Sequence, residues 1–424
     1  METTKLYQLD VYSREWDATI TSIDENGKVY LDRTAFFPEG GGQSCDTGIL
    51  QIIDGKKPYT FDVIDVQEDG AEVVHTLKAT EDSGNRQPKE GDFVHCSLNW
   101  ERRFDNMQRH CGEHILSGIF YQECGGVNRG FHMGDEYMTI DISLEDEPTN
   151  KANKKPDELT YEMCLSVEKI ANQVIWSNAP VRTFRFATRA EAEKMPLRKA
   201  LAFDEDISIV CIGSAENAAD CVACCGTHPK SAGQVGLIKI FKVEKNKGMF
   251  RVFFEAGERA LNDYDSKHSM LYKLSNDYSS SIEDFPKKLR AQEEKLANAK
   301  TELNQLKRVL IESECAKLNE EIAASPNKVL VYKLMHLSLD DTFNMAKTYM
   351  GKPDCGGKLI MLYSVPDTSY VLVSDGKIKC GQLVKEYASF YQGKGGGNDI
   401  SARAMFKTDE DAALFADLLG KHLQ

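Results

Sequence analysis

Two short segments, far apart in this 424-residue chain, carry side chains that could bind one metal ion. His110 and His114 form an H-x-x-x-H segment, and Cys224 and His228 form a C-x-x-x-H segment. On a helix, two histidines at this spacing lie one turn apart on the same face. Three imidazoles and one thiolate make a tetrahedral donor set that suits Zn²⁺. The two segments together therefore predict a shared zinc site, and such a site favours a hydrolase.

Spacing alone leaves the sulfur ligand open, because Cys221, Cys224 and Cys225 all precede His228 at short range. We favour Cys224, with Cys221 and Cys225 as packing or supporting thiols. Four protein ligands are typical of structural zinc, so a catalytic site here would need one ligand to be loose or displaced. Glu113, between the first two histidines, is expected to point away from the metal as a surface carboxylate.

Two glycine-rich segments could bring backbone amides close to a ligand. Residues 34–43 read T-A-F-F-P-E-G-G-G-Q, and residues 393–397 read G-K-G-G-G. Neither has the G-x-x-x-x-G-K-[ST] pattern of a phosphate-binding loop. Thr34 and Gln43 add small neutral groups that suit recognition of a small polar side chain. The second segment is predicted to be either a flexible loop or a backbone-amide nest for an RNA phosphate.

Composition narrows the class of protein. The net charge of −14 argues against indiscriminate nucleic-acid binding, although a local basic surface remains open around Arg102, Arg103, Arg109 and Arg129. The twelve cysteines are scattered, and most are interpreted as buried thiols. The first residues lack a basic region followed by an apolar run, and no stretch reaches the ~18 apolar residues of a membrane span. A cytoplasmic protein without a membrane segment is expected.

The sequence patterns around these motifs predict an α+β protein. Residues 1–95 alternate β-rich runs with turn signals and predict a small antiparallel barrel or half-barrel. Residues 96–262 mix helix and strand around the metal motifs. Residues 263–325 are mostly helical with a heptad run, either an intramolecular hairpin or linker or a dimer seam. Residues 326–424 predict a small α/β domain.

The motifs in combination resemble a known family. Residues 34–43, H-C-G-E-H at 110–114, G-F-H-M-G at 130–134 and C-C-G-T-H at 224–228 are similar to the editing domain of alanyl-tRNA synthetase. The G-K-G-G-G segment is similar to the C-terminal domain of the same enzyme. This order resembles the long form of the stand-alone editing proteins called AlaX. Cys111 stands where the family often has Thr or Ser, and Cys225 where it usually has glycine.

The resemblance implies a zinc-dependent aminoacyl-tRNA deacylase, a carboxylic ester hydrolase that edits in trans. Its substrate would be alanine tRNA mischarged with serine, and sometimes glycine. Its implied zinc ligands are His110, His114, Cys224 and His228. The implied substrate pocket contains Thr34, Gly40, Gly41, Gly42, Gln43 and His132, and the implied tRNA-binding residues are Arg109, Lys394, Gly395 and Gly396. A homodimer through the heptad or C-terminal region is one option.

Three other functions stay open at this point. The first is a non-catalytic tRNA-binding module with structural zinc, and the second is a zinc hydrolase of another ester or amide. The third is editing of threonine-type tRNA. The sequence offers no candidate ATP site, so aminoacylation is not expected.

Overall fold

The computed structural model describes residues 2–55, 57–145, 156–202, 204–214, 217–352, 355 and 357–423. Their architecture is mixed α/β, with one closed barrel and several separate sheets. The chain divides into two compact units, Met1–Lys273 and Leu274–Gln424. The first contains both metal motifs and the first glycine-rich segment.

A closed antiparallel barrel occupies the beginning of the first unit, in the order β2-β3-β7-β6-β5-β8. Its inward side chains follow the alternation of the sequence, as in β2, where Trp16, Ala18 and Ile20 are buried. The barrel confirms the predicted small antiparallel barrel. The elements of this region are β1 (Thr4–Lys5), α1 (Leu6–Leu9), β2 (Glu15–Ile23), β3 (Val29–Leu31), β4 (Arg33–Thr34), β5 (Gly48–Ile52), β6 (Tyr59–Asp69), β7 (Glu72–Ala79) and β8 (Phe93–Leu98).

A long helix, α2 (Trp100–Cys124), follows the barrel directly. It begins where the Asn99 side chain accepts a hydrogen bond from the Arg102 amide, and it ends at Gly125 in the left-handed conformation. Most of its residues from Arg103 to Phe120 are buried. The turn of the helix that carries His110 and His114 therefore lies inside the unit.

Two sheets and a second long helix surround α2. The first sheet has the order β14-β15-β10-β9, and the second has the order β11-β12-β13. The apolar faces of α2 and α3 pack with the first sheet into one hydrophobic core. The elements are β9 (Val127–Met133), β10 (Met138–Ser143), α3 (Tyr161–Trp176), β11 (Val181–Thr188), α4 (Arg189–Ala192), β12 (Glu205–Ser214), β13 (Asn217–Ala223), β14 (Ile238–Asn246), β15 (Met249–Ala256) and α5 (Glu258–Asp277).

The second unit is built on a five-stranded sheet of order β16-β17-β18-β20-β19. The helix α6 (Phe285–Ala324) covers the predicted heptad region, and its last turns bury Leu318 and Ile322 in the core of this unit. The other elements are β16 (Val329–Leu334), α7 (Leu339–Ala346), β17 (Leu359–Ser364), β18 (Ser369–Val373), α8 (Cys380–Tyr387), β19 (Lys394–Gly397), β20 (Ser401–Met405) and α9 (Asp409–His422). Among the described residues, no helix combines the length and apolar character needed to cross a membrane.

Candidate metal centre and cavity

Four side chains from the two predicted segments meet at one point. One ligand atom from each of His110, His114, Cys224 and His228 lies within 4.8 Å of the others, and we call these four residues the donor cluster. The Sγ atom of Cys224 is 3.4 Å from Nε2 of His110 and 3.4 Å from Nε2 of His228. A tetrahedron with arms of about 2.0–2.3 Å has edges of roughly 3.4–3.6 Å. The donor cluster therefore has the spacing and the chemistry to bind a metal ion.

Gln43, from the first glycine-rich segment, orients the first imidazole. Its Oε1 atom accepts hydrogen bonds from Nδ1 of His110 at 2.8 Å and from the Thr227 amide at 3.1 Å. Its Nε2 atom donates to Oγ1 of Thr227 at 2.8 Å. These bonds place the proton of His110 on Nδ1 and leave Nε2 free to face the metal position.

Asp220 orients the second imidazole in the same manner. Its carboxylate accepts from Nδ1 of His114 at 3.0 Å and is itself bound by the buried guanidinium of Arg198, at 2.6 Å from Nε. A carboxylate behind a metal-binding histidine fixes the ring and raises its basicity. The third ring has no such support, because Nδ1 of His228 is buried without a hydrogen-bond partner among the described residues.

The electrostatics of the donor cluster favour a thiolate. Burial raises the pKa of the Cys224 thiol, but the surrounding imidazoles outweigh burial and hold it well below its usual range. Burial lowers the pKa of His228 to about 4, so this ring is neutral. Burial also lowers the pKa of His114, but the Cys224 thiolate and Asp220 outweigh it and raise that pKa to about 10. A metal ion would have to displace the proton on His114.

Glycine is required at two places around this centre. A Cβ atom at Gly226 would lie only 2.2 Å from Cε1 of His110, so only glycine lets the C-x-x-x-H loop close over that ring. Gly41 and Gly42 have φ angles of 59° and 82°, in the left-handed region, between the paired residues Gly40 and Gln43. This two-residue turn aims Gln43 at His110.

A cavity of about 510 Å³, the first cavity, opens beside the donor cluster. Its volume lies within the range in which small ligands bind proteins. Glu113 lines it and is only 5% exposed. Its Oε1 atom accepts from Ser117 at 2.6 Å and from Asn128 at 2.7 Å, and its Oε2 atom lies 3.9 Å from Nε2 of His114. The prediction of a surface carboxylate is therefore wrong, because polar groups on α2 and β9 draw Glu113 inward.

A second cavity, of about 630 Å³, lies on the other side of the glycine turn. Gly41 and Phe131 line both cavities. The predicted pocket residues Gly40, Gly41, Gly42, Gln43 and His132 all line the second cavity.

Thr34 is the predicted pocket residue that lines neither cavity. It is fully buried, and its Oγ1 atom lies 3.0 Å from Nε2 of His75 and accepts from the Phe36 amide at 3.1 Å. Nδ1 of His75 donates to the Val29 carbonyl, so Nε2 accepts the Thr34 hydroxyl proton. Thr34 thus stabilises the base of the segment that carries the glycine turn.

The buried position of Arg109 corrects the prediction that this residue contacts tRNA. The side chain is 3% exposed and forms two hydrogen bonds to the Glu255 carboxylate, at 3.1 and 2.6 Å, and one to the Gly134 carbonyl. A guanidinium with these buried partners is not available to a phosphate. Arg103 is likewise buried against Asp46.

The second glycine-rich segment forms the edge strand β19, so the flexible-loop interpretation is wrong. Lys394 is exposed on this strand. A Cβ atom at Gly395 would lie 2.0 Å from the Arg403 carbonyl oxygen, so close strand pairing requires glycine there. Gly396 has open space around it.

The other two cysteines near the donor cluster lie outside it. Cys221 forms a disulfide with Cys211 on the neighbouring strand, so it is not the packing thiol that the sequence predicts. Cys225 is exposed, lines the first cavity and lies against the glycine turn. Elsewhere seven cysteines are buried, as the sequence predicts.

Sequence reasoning missed the supporting residues Asp220 and Arg198 and the cavity residues Asn128 and Lys199. It also missed that the Glu113 side chain points inward. No local signal marks them, because each acquires its role through contacts with distant parts of the chain. Gln43 was predicted for the substrate pocket, and its contact with His110 was not foreseen.

Family models match two parts of the chain. Residues 3–102 match the model described as tRNA synthetases class II (A). Residues 207–253, which include Cys224 and His228, match the threonyl and alanyl tRNA synthetase second additional domain.

Full-length relatives extend this similarity. The chain is 29% identical to the alanyl-tRNA editing protein AlaX-L of Pyrococcus horikoshii, over 99% of both chains. It is 33% identical to AlaX-M of Methanosarcina acetivorans, over 59% of this chain and 98% of that protein. It is 28% identical to the alanine–tRNA ligase of Thermococcus kodakarensis, and this match covers 96% of the chain but only 42% of the ligase.

Proposed function

Because the chain belongs to the AlaX family of alanyl-tRNA editing proteins, we propose that it removes wrongly attached amino acids from tRNA in trans. The substrate we propose is alanine tRNA charged with serine, or with glycine, and the reaction is hydrolysis of the aminoacyl ester. The observation that carries the proposal is the donor cluster beside a cavity of about 510 Å³. We retain the four regions predicted from the sequence. Of these, the barrel region (1–95) and the region with the metal motifs (96–262) together form the proposed editing domain.

The donor cluster is the proposed zinc site. Gln43 and Asp220 hold two of its imidazoles with Nε2 toward the metal position, and Cys224 supplies a thiolate. Bound zinc would polarise an ester carbonyl or activate a water molecule. Glu113 offers Oε2 on the same side, where it can accept a hydrogen bond from the substrate ammonium group or from water.

Selection among amino acids follows from a polar pocket. A site that hydrogen-bonds the serine hydroxyl leaves its own groups unpaired when alanine enters, so it can reject alanine strongly. The turn residues Gly40, Gly41, Gly42 and Gln43, with His132, remain our proposed pocket, and the buried Thr34 supports the segment that carries them. Lys394, Gly395 and Gly396 of the edge strand remain the proposed contacts to tRNA.

Deacylation of alanine tRNA charged separately with serine, glycine and alanine tests the proposal. We expect release of serine, with alanyl-tRNA spared. Cys224→Ala should lower zinc content and activity together, whereas the matched control Cys225→Ala should keep its zinc, because Cys225 lies outside the donor cluster. Stable binding of seryl-tRNA without release of serine would instead favour the tRNA-binding module with structural zinc.

A further inference from the structure

A lysine in the wall of the first cavity has no hydrogen-bond or ion-pair partner among the residues that the structure describes. Lys199 lies in the segment between α4 and β12 and lines the same cavity as His110 and His114. Its side chain is half-buried. Over the parts of the chain that the structure describes, its ammonium group forms neither a hydrogen bond nor an ion pair.

The backbone next to Lys199 is held in place. The Arg198 amide donates to the Cys221 carbonyl at 2.8 Å, and the Arg198 guanidinium binds Asp220. The same Asp220 carboxylate supports His114 of the donor cluster. The position of Lys199 is therefore coupled through two contacts to the position of the metal ligands.

The charged groups around Lys199 do not supply a close partner for its ammonium group. Burial lowers its pKa, and the neighbouring guanidiniums of Arg198 and Arg129 lower it further, while Glu113 and Asp220 act in the opposite direction. Both carboxylates already serve other groups, Glu113 through Ser117 and Asn128, and Asp220 through Arg198. A half-buried ammonium group without a close partner is costly, and an anion brought by a ligand removes that cost.

The charge pattern of the cavity matches one end of the proposed substrate. An aminoacyl ester at the 3′ end of RNA carries an ammonium group beside the ester and a phosphodiester on the 5′ side of the same nucleoside. Glu113 lies beside the donor cluster, and Lys199 lines the same cavity, near enough for the two charges to act on each other. Building on the proposed function, we propose that Lys199 binds the phosphodiester on the 5′ side of the terminal, amino-acid-bearing nucleoside.

The test compares two small substrates that differ by one phosphate, with the zinc-loaded full-length chain. These are 3′-O-seryl-adenosine and 3′-O-seryl-adenosine 5′-monophosphate, and seryl-tRNA is the third substrate. We expect Lys199→Ala to raise KM about tenfold or more for the two phosphate-bearing substrates, which is the size of a charge-assisted hydrogen bond. KM for seryl-adenosine should stay within about twofold, and Lys199→Arg should restore most of the loss.

Lys194→Ala is the matched control, because Lys194 lies in the same segment, is exposed and does not line the cavity. If Lys199→Ala does not fold, Lys199→Met keeps the aliphatic stem and serves in its place. An equal loss on both small substrates, or no loss on either, would overturn the proposal while leaving editing intact. A wild-type chain that releases serine from no substrate would refute the proposed function itself, and this inference with it.

Discussion

At the scale of single residues, the proposed metal ligands depend on hydrogen-bond partners that the motifs do not include. Gln43 and Asp220 come from the glycine turn and from β13, and each accepts the Nδ1 proton of one imidazole. Loss of such a partner typically lowers metal affinity 10–100-fold.

For Gln43→Ala we therefore expect zinc affinity to fall by roughly 10–100-fold. The variant leaves Nδ1 of His110 buried without its acceptor, so the ring is free to adopt the wrong tautomer. Competition against a chelator of known affinity measures the change. Gln67→Ala is the control, because Gln67 lines the second cavity without contacting the donor cluster. Equal zinc affinity in the two variants would contradict the role of Gln43.

The buried pair of Thr34 and His75 predicts a pH dependence of stability. Burial lowers the pKa of His75 to about 4, whereas an unfolded histidine has a pKa of about 6.5. Between these values the unfolded chain binds a proton that the folded chain does not. The free energy of unfolding should therefore be undiminished above pH 6.5 and decrease as the pH falls toward 4, by roughly 3 kcal/mol at most.

Urea unfolding followed by tryptophan fluorescence measures this effect, because Trp16, Trp100 and Trp176 all lie in the first unit. His75→Gln should give a flatter pH profile than the wild type. Identical profiles for wild type and His75→Gln would rule out this contribution.

At the scale of elements, α6 has two contrasting parts. Leu318 is fully buried in the core of the second unit, whereas the heptad leucine Leu296 is 73% exposed. Leu318→Ala should destabilise the second unit by about 2–5 kcal/mol, and Leu296→Ala should change little. Hydrogen exchange of β16 to β18 measures both effects. A comparable loss of stability for Leu296→Ala would indicate that a second copy of the chain covers this face of α6, as in the dimer-seam alternative.

Apolar periodicity predicts those elements that a local pattern determines. The apolar run at 207–212 indicates a strand and lies within β12, and the helical spacing of apolar residues at 105–121 lies within α2. The burial of Arg103, Asn106 and Arg109 in α2 was not predictable, because these residue types are usually found at the surface. They are buried only because Asp46, Ser44 and Glu255 reach them from distant segments.

The candidate site, like the secondary structure, was predictable where local spacing determines it. Spacing identified the three histidines of the donor cluster, because side chains four apart on a helix or in a tight loop lie close together, but it left the choice among Cys221, Cys224 and Cys225 open. The inward direction of Glu113 was not predictable, since it depends on Asn128 from another strand. The strand at Lys394–Gly397 was missed because glycine-rich sequence favours loops and only pairing with β20 overrides that preference.

At the scale of the whole molecule, the donor cluster joins α2 to the loop after β13, and Gln43 connects it to the barrel region. All of these lie in the first unit. A metal that binds only the folded chain stabilises the parts that hold it. Chelation should therefore increase hydrogen exchange around residues 40–43, 110–114 and 224–228, with little change across 326–424. A uniform increase over both units would contradict a local metal site.

The most direct test of the account is the X-ray absorption spectrum of the purified full-length chain at the zinc edge. We predict one zinc per chain, with three nitrogen neighbours at about 2.0–2.1 Å and one sulfur at about 2.3 Å. The sulfur contribution should disappear in Cys224→Ala and remain in Cys225→Ala. A chain that binds no zinc after loading, or a zinc shell without sulfur in the wild type, would contradict the account.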